Sequence, residues 1–332
     1  MIDGLGFHNL LNSSERAPFL AANLTDAPEL FSGFPSSTVA SITSLATGLP
    51  PAQHGLFAYR IYDRALERDC NLLSGMDRYS ILDYLRVEPL SSSHPITAVT
   101  KPEYVDSGFS RATMTGATKT ASAIAERIEL AIGSANEPGA ITYLYIPELD
   151  QTAHANGVGS ETWLSLLEEI DQQIRHLVRN LPSDVGVLVL ADHGIVDVTT
   201  DHHIYLDETL QAEELLAVGG DPRSTFIYLK DPNQQMQVSA RLSAWLGDRA
   251  KVMDLAEMFE AGLFGTDLRE DPELLPDFVV LAADGYACYH RNFAKPASLR
   301  MIGQHGGLSQ TECALPLIRL GGYSSSDSDL VP

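Results

Sequence analysis

The sequence AITYLYIPELD at residues 140–150 and the sequence VGVLVLADH at residues 185–193 decide the fold that we predict for this chain. Each begins with an apolar run and ends in polar residues, which is typical of a strand buried on both faces. Between them, residues 162–180 carry apolar side chains at helical spacing and predict an amphipathic helix. Strand, helix and strand in this order indicate a βαβ unit with parallel strands.

The rest of the chain extends this pattern. We predict a strand at residues 96–99 and a helix at residues 117–132. Further on, the pattern is less regular, with predicted strands at residues 224–229 and 278–281 and a helix at residues 234–246. The sequence therefore predicts an α/β fold, with a mostly parallel central sheet, helices on both faces and a smaller inserted subdomain. The predicted division is a main domain from residues 1–204 and 300–322, an inserted or subsidiary α+β region at residues 205–299, and a flexible tail at residues 323–332.

The composition sets limits on the partners of the protein. The chain has 332 residues, 44% of them hydrophobic, which is enough for a large buried core. Its formal charge of −22 comes from 44 acidic and 22 basic residues. Since this charge repels nucleic acid and anionic membranes, we expect neither as a partner. An anionic substrate must then be bound by a local positive centre, which a metal cluster can supply.

Cysteine content and the start of the sequence bear on the cellular compartment. Three cysteines without a close pair argue against a disulfide framework, so we expect a reducing compartment, the cytoplasm. No apolar run approaches the roughly 20 residues that a membrane span needs. Only two residues precede Asp3, so we expect the native chain to extend upstream of Met1 with an apolar strand.

Acidic residues follow the predicted strands, where open α/β sheets bind their ligands. Asp150 and Asp192 each come just after an apolar run, and Asp3 takes a similar place if Met1 and Ile2 are the remnant of a first strand. Histidines accompany these acids in the sequence. They are His154, four residues after Asp150 and thus on the same face if the segment is helical, His193, next to Asp192, and His305, followed by two glycines.

Three aspartates and three histidines form a ligand set suited to zinc, with manganese or iron as alternatives. Each motif alone is common, because an Asp-His pair after a strand is more often a cap or a turn than a metal site. The joint occurrence of all six residues, in this order, is what predicts a metal centre.

Six short motifs occur in an order that resembles a known family. They are IDGLG at residues 2–6, FPSSTVASITSLATG at residues 34–48, PAQHG at residues 51–55, Asp150 with His154, DHG at residues 192–194, and HGG at residues 305–307. This pattern resembles the nucleotide pyrophosphatase/phosphodiesterase branch of the alkaline phosphatase superfamily, from one end of the chain to the other. The resemblance implies an alkaline-phosphatase-like fold for the main, catalytic domain.

The resemblance also implies a ligand set and a reaction. One metal ion would be held by Asp150, His154 and His305, and a second by Asp3, Asp192, His193 and the nucleophile Thr38. The expected reaction is the cleavage of phosphodiester or pyrophosphate bonds in a small phosphoester or nucleotide, through a covalent phospho- or nucleotidyl-threonine. Residues 39–46 are compatible with a helix, so Thr38 would lie at a helix N-terminus, which favours a phosphate oxygen.

One departure from the family pattern bears on the substrate. Tyr59 occupies the place of an asparagine that binds a phosphate oxygen in well-studied members of this branch, so we expect Tyr59 to contact the substrate. A phosphomonoesterase, phosphonate hydrolase or phosphomutase on the same scaffold stays an alternative, as does a catalytically silent binding protein of the same fold. The Cys/Ser-x-Pro-x-Arg signature of sulfatases is absent around Thr38.

Overall fold

Two β-sheets organise the chain, and each contributes to one wall of the site. The structure is a computed structural model, and it describes residues 1–74, 83–105, 107–135, 139–265 and 273–324. The α-helices are α1 (Phe7–Asn12), α2 (Pro18–Ala21), α3 (Thr38–Thr47), α4 (Pro51–His54), α5 (Gly108–Thr113), α6 (Ile124–Ser134), α7 (Glu148–Asn156), α8 (Glu161–Asn180), α9 (Gln235–Leu246), α10 (Leu255–Glu260) and α11 (Gln310–Cys313).

The strands are short and are distributed over the whole chain. They are β1 (Leu30–Phe31), β2 (Arg60–Asp63), β3 (Arg68–Asn71), β4 (Ile96–Thr100), β5 (Thr118–Thr120), β6 (Ile141–Leu144), β7 (Gly186–Leu190), β8 (Val196–Asp197), β9 (His203–Tyr205), β10 (Leu215–Asp221), β11 (Ser224–Leu229), β12 (Ala250–Asp254), β13 (Phe278–Ala282), β14 (Ala287–Tyr289), β15 (Gly303–Gln304), β16 (Ala314–Leu315) and β17 (Leu317–Gly321).

The first residues of the chain lie in the middle of the central sheet. Strands β5, β4 and β6 pair in parallel, and β7 pairs antiparallel with β17. Between β6 and β7, Ile2 forms a parallel bridge with Ile146 and donates its N–H to the carbonyl of Leu190 at 2.9 Å. Asp3 donates its N–H to the carbonyl of Ile146 at 3.0 Å. Met1 and Ile2 thus take the place of a first strand, and they separate the two strands of the predicted βαβ unit.

Helices α6 and α8 pack on this sheet. Ile128 of α6, together with Leu167 and Ile170 of α8, is buried in the same apolar core as Ile2 and Val189. The amphipathic pattern from residue 162 to residue 180 is therefore explained, because the apolar face of α8 is the one that packs on the sheet.

The predicted helix at residues 117–132 is wrong in its first part. Thr118–Thr120 forms β5, which pairs in parallel with the last three residues of β4, and the helix α6 begins at Ile124. The two threonines are β-branched and favour extended backbone, and the free edge of β4 supplies hydrogen-bonding partners. The other predicted strands and helices are confirmed, with ends that agree or differ by at most two residues.

A second sheet lies within the less regular region of the sequence. Its order is β10, β11, β13 and β12, with every neighbouring pair antiparallel, and α9 covers it. All four strands fall inside residues 205–299, although the exact bounds of that region stay a prediction. The predicted flexible tail falls largely on residues 325–332, outside the described residues. None of the helices in the described ranges is both long enough and apolar enough to cross a membrane.

Candidate metal centre

The first group of candidate ligands is held by α7 and by the loop after β15. Asp150 lies in the first turn of α7 and His154 one turn later, so both face the same side, with His154 Nε2 3.3 Å from Asp150 Oδ2. The ring of His305 has its centre 5.3 Å from that of His154. One ligand atom from each residue lies within 4.8 Å of the other two. We call Asp150, His154 and His305 the Asp150 group.

The second group lies at the carboxyl ends of the central strands and is buried. His193 Nε2 lies 3.4 Å from Asp3 Oδ1 and 3.6 Å from Asp192 Oδ2. The backbone N–H groups of Gly4 and His193 both donate to Asp192 Oδ1, at 3.2 and 3.1 Å, and so fix its carboxylate. We call Asp3, Asp192 and His193 the Asp3 group. The ring of His193 stacks on that of His305 at 3.7 Å between centres, so the two groups are adjacent.

Backbone carbonyls orient all three histidines. In each ring Nδ1 faces a carbonyl oxygen, which can only accept, so Nδ1 carries a proton and Nε2 is the nitrogen left to bind a metal ion. The neutral ring with its proton on Nδ1 is the form that binds a metal ion through Nε2. The pairs are His154 with Gly303 at 2.7 Å, His305 with Ser36 at 3.0 Å, and His193 with Gly194 at 3.3 Å.

The carboxylates of both groups leave buried oxygens without a hydrogen bond. Within the described residues, Asp3 Oδ1, Asp150 Oδ1 and Asp192 Oδ2 are buried and have no partner. A buried anionic oxygen without a donor is costly, and a cation is the partner that removes the cost. The donor set, three carboxylates and three imidazoles, therefore fits two divalent ions.

Burial and mutual proximity perturb the pKa values of these ligands. Burial raises the pKa of Asp3 well above its usual range, and the nearby Asp192 and Asp150 add to this. Burial also raises the pKa of Asp150, but the neighbouring His154, His305 and His193 together outweigh it, so that its pKa is lowered overall. Burial lowers the pKa of His305 well below its usual range, and His193 lowers it further. Without a cation, the cluster therefore disfavours the ionised form of Asp3.

Thr38 begins α3, as the sequence predicts, and lies against the Asp3 group. Its Oγ1 is 3.2 Å from His193 Nε2, and it lines the same cavity as the Asp150 group. The structure thus brings Thr38 and the six predicted ligands together. Tyr59, the predicted substrate contact, lines that cavity as well, although its role stays a prediction.

Several residues that complete the centre have no signal in the sequence. Tyr145 donates its hydroxyl to Asp3 Oδ2, and the Ser36 hydroxyl accepts from the backbone N–H of Gly306 at 3.1 Å. Packing requires a glycine at position 194, because a Cβ there would lie 1.9 Å from the carbonyl oxygen of Thr311. The sequence marks none of the three as a support, although Ser36 and Gly194 lie within the quoted motifs at residues 34–48 and 192–194.

Comparison with known proteins places this geometry in a family. The chain is 22% identical over 268 residues to ectonucleotide pyrophosphatase/phosphodiesterase 1 of Saccharomyces cerevisiae, covering 63% of this chain and 35% of the yeast protein. It is 26% identical over 199 residues to venom phosphodiesterase 2 of Crotalus adamanteus, covering 55% of this chain and 24% of the venom protein. The chain therefore spans between a quarter and about a third of the length of these relatives.

Solved structures of murine ectonucleotide pyrophosphatase/phosphodiesterase 5 are similar over nearly the whole chain. One has a TM-score of 0.76 at 18% identity, covering 96% of this chain and 86% of the murine one. A second, an inactive variant with alanine in place of a threonine in complex with AMP, has the same TM-score and covers 97% and 87%. This likeness confirms the predicted alkaline-phosphatase-like α/β fold. A family model described as type I phosphodiesterase / nucleotide pyrophosphatase matches residues 1–308. The chain therefore belongs to the type I phosphodiesterase/nucleotide pyrophosphatase family.

Proposed function

We propose that this chain is a metal-dependent phosphohydrolase that cleaves phosphodiester or pyrophosphate bonds, with Thr38 as its nucleophile. The observation that carries the proposal is the position of Thr38 Oγ1, 3.2 Å from His193 Nε2, at the start of a ten-residue helix and beside both ligand groups. The murine relative, inactive with alanine in place of a threonine and complexed with AMP, supports a threonine nucleophile and a small phosphoester or nucleotide substrate.

The residues present fit two divalent ions, with zinc as the expected metal and manganese or iron as alternatives. The Asp150 group would hold one ion, and the Asp3 group would hold the other together with Thr38. When bound, the ions supply positive charge that offsets the charge on the phosphate oxygens and favours ionisation of the Thr38 hydroxyl.

In the proposed reaction, Thr38 Oγ1 forms a new bond to phosphorus while the bond to the leaving oxygen breaks. The leaving oxygen departs with the electron pair of that bond, and a phospho- or nucleotidyl-threonine remains. Water then breaks the Thr38–phosphorus ester and restores the hydroxyl. The first turn of α3 has no side-chain cap, so its N–H groups favour an anionic phosphate bound at Thr38.

Diesters are the preferred substrates in this proposal. Residues 34–48, which contain Thr38, include no arginine to bind the second negative charge of a monoester. Their side chains are small or apolar.

A screen of substrates and metals tests the proposal. We expect the purified protein to hydrolyse bis(4-nitrophenyl) phosphate when loaded with zinc, more slowly or not at all after chelation, and to hydrolyse 4-nitrophenyl phosphate less efficiently. Faster hydrolysis of the monoester would replace the diesterase proposal with a phosphomonoesterase. No hydrolysis of either ester, with two metal ions bound per chain, would indicate a silent binding protein instead.

A further inference from the structure

The carbonyl that orients His154 belongs to a glycine that packs closely against α7. The Gly303 carbonyl oxygen lies 2.7 Å from His154 Nδ1, and the His154 carbonyl accepts from the N–H of Ile302 at 2.9 Å. A Cβ on Gly303 would lie 2.7 Å from the carbonyl oxygen of Ala153, so the close approach requires glycine. Because glycine has the freest backbone of all residues, the direction of its carbonyl must be fixed by its neighbours.

Gln304 is the neighbour whose backbone is tied to that carbonyl. The C=O of Gly303 and the N–H of Gln304 belong to one planar peptide group, so a rotation of this group moves both. The next residue along the chain is His305, a candidate ligand of the same group. β15 contributes only two residues, Gly303 and Gln304, to its pairing with β8, so this ladder is a short restraint. A side-chain contact of Gln304 would therefore add to the control of both His154 and His305.

The side chain of Gln304 is buried and has two acceptors in place. The residue is 1% exposed. Its Nε2 donates to Tyr289 Oη at 3.0 Å and to the carbonyl of Met301 at 3.2 Å. Because a carbonyl can only accept, the contact with Met301 identifies this end of the amide as the nitrogen. Both N–H groups of the amide are thus used, and the loss of either acceptor would leave a buried donor without a partner.

Tyr289 comes from a different part of the molecule and is itself well fixed. It ends β14, which pairs in parallel with β9, and it is 3% exposed. Its ring lies 4.7 Å from the buried ring of His203, between centres. The phenol oxygen is therefore an acceptor whose position is set by β9 and β14, outside the metal centre.

We propose that Tyr289 and Gln304 are positioning residues for the metal ion of the Asp150 group. The Tyr289 hydroxyl fixes the Gln304 amide, and Gln304 in turn fixes the peptide group that it shares with Gly303. The carbonyl of that peptide group keeps His154 Nε2 directed at the ion. This inference rests on the proposed function only in that a metal ion binds the Asp150 group. The histidine of the Asp3 group is oriented by Gly194 instead, so that group serves as an internal reference.

Zinc binding at each group can be followed through its own histidine. In protein labelled with ¹⁵N at histidine, the Nε2 signal of His154 reports zinc at the Asp150 group, and that of His193 reports zinc at the Asp3 group. Zinc would be withdrawn with increasing concentrations of a competing chelator. We expect Tyr289→Phe and Gln304→Met each to weaken zinc binding at His154 by about tenfold or more, and at His193 by about twofold or less.

The double variant tests whether the two residues act as one unit. If Gln304 acts through Tyr289, the protein with both substitutions should bind zinc at His154 within about twofold of the weaker single variant. Additive losses, about a hundredfold in total, would show that the two residues act separately and would overturn the proposal. The control is Tyr205→Phe, because Tyr205 pairs with Tyr289 in the register of β9 and β14 but lies under the guanidinium of Arg291, 4.7 Å from its ring centre. It should bind zinc like the wild type.

Three further results would contradict the proposal. They are an unchanged zinc affinity at His154 in both single variants, an equal loss at His154 and His193, which indicates a general loosening of the fold, and a wild type that binds no zinc at His154. If Gln304→Met does not fold, Tyr289→Phe, which keeps the ring, decides alone.

Hydrolysis of bis(4-nitrophenyl) phosphate is measured separately on the same samples. A wild type that binds zinc at both groups without turnover would refute the proposed function, while the variants would still decide the role of Tyr289 and Gln304. A wild type that turns over, with variants that keep its zinc affinity at His154, would refute this inference alone.

Discussion

The hydroxyl oxygen of Thr38 lies close both to the N-terminus of a helix and to a side chain of the Asp3 group. It is the first residue of α3, so the unpaired N–H groups of that helix lie beside its hydroxyl. His193 Nε2 contacts the same oxygen from the Asp3 group at 3.2 Å. The N-cap of α3 is Ser37, so a Thr38 with only a structural role would tolerate alanine at a cost of about 1 kcal/mol in stability.

Replacing Thr38 distinguishes a nucleophile from a residue with only a structural role. We expect Thr38→Ala to lower kcat by about 10³-fold or more, or roughly 4 kcal/mol in transition-state stabilisation, without loss of bound metal. Thr38→Ser keeps the hydroxyl and should retain measurable turnover. Steady-state kinetics on metal-loaded protein provide the measurement. If Thr38→Ala turned over at the wild-type rate, a water molecule would have to be the nucleophile.

Asp3 links metal binding to stability. Burial, Asp192 and Asp150 raise its pKa in the folded protein above the ordinary value of about 4. A raised carboxyl pKa means that the folded, metal-free protein becomes less stable as the pH rises from about 4 through that higher pKa. The loss is about 1.4 kcal/mol for each unit between the two pKa values.

Chelation and one substitution test this link. Removing metal with EDTA should lower the Tm at pH 7. Asp3→Asn should raise the Tm of the metal-free protein at pH 7 relative to wild type, less so at pH 4, and should lower the Tm of the metal-loaded protein. Melting curves at both pH values give the Tm of each protein with and without metal, and the metal content of each sample is measured. A wild-type Tm that stays unchanged after confirmed metal loss would contradict the prediction.

At the level of single residues, the sequence predicts the metal ligands better than the residues that position them. Asp150 and His154 share a helical spacing, and Asp192 follows an apolar run, so each carries a local signal. Tyr145 carries none, because what matters is its contact with Asp3, far away in the chain. A tyrosine just after a strand looks like an ordinary part of that apolar run.

Among the elements, α2 depends on a partner for its N-terminus. Its N-cap residue, Ala17, has no side-chain oxygen, and Asp171 from the middle of α8 supplies one instead. The carboxylate of Asp171 accepts from the backbone N–H groups of Phe19 at 3.2 Å and Leu20 at 2.7 Å. Two of the N–H groups that a helix start leaves unpaired are thus satisfied across the core.

Removing that carboxylate should separate α2 from α8. We expect Asp171→Ala to lower the free energy of unfolding by about 1–3 kcal/mol, because the N–H groups of Phe19 and Leu20 lose their acceptor. Asp171→Asn keeps one acceptor oxygen and should cost less. Denaturant unfolding measures both, and hydrogen exchange should speed up at Leu20. A loss in Asp171→Ala no larger than that in Asp171→Asn would contradict this explanation.

Most elements could be predicted because burial gives their apolar residues a regular spacing along the sequence. Residues 185–191 are apolar without interruption and predict a strand buried on both faces, but Leu188 of β7 is 47% exposed, so that part of the prediction is wrong. Residues 162–180 show a helical period because one side of α8 faces solvent. The error at residues 117–132 has a different origin. The three residues of β5 are too few to show a period, and they become a strand only because the edge of β4 is available.

Across the whole molecule, a buried ion pair helps to attach the second sheet to the metal centre. Arg223 follows β10 and Glu312 lies in α11, and both are 1% exposed or less. Glu312 also accepts from the backbone N–H of Gly307 at 2.8 Å, in the loop that carries His305. The sequence predicts β11 but no strand at the position of β10, and this link joins residues 89 positions apart and leaves no local pattern.

Breaking this pair should loosen the site as well as the fold. Glu312→Gln removes the charge that faces Arg223 and leaves a buried guanidinium uncompensated, so we expect a loss of about 3–5 kcal/mol in the free energy of unfolding. Because Glu312 also holds the His305 loop, one of two bound metal ions should be released to a chelator faster than in the wild type.

The double variant Arg223→Met with Glu312→Leu is the matched control for that prediction. It replaces both charges with apolar groups of similar size, so stability should recover by at least 1–2 kcal/mol relative to Glu312→Gln. Metal release should stay fast, since leucine cannot accept from Gly307 N–H and the His305 loop keeps its freedom. A double variant that recovered wild-type metal retention would show that the loop is held by the packing around α11, and that the carboxylate of Glu312 acts only through its charge on Arg223.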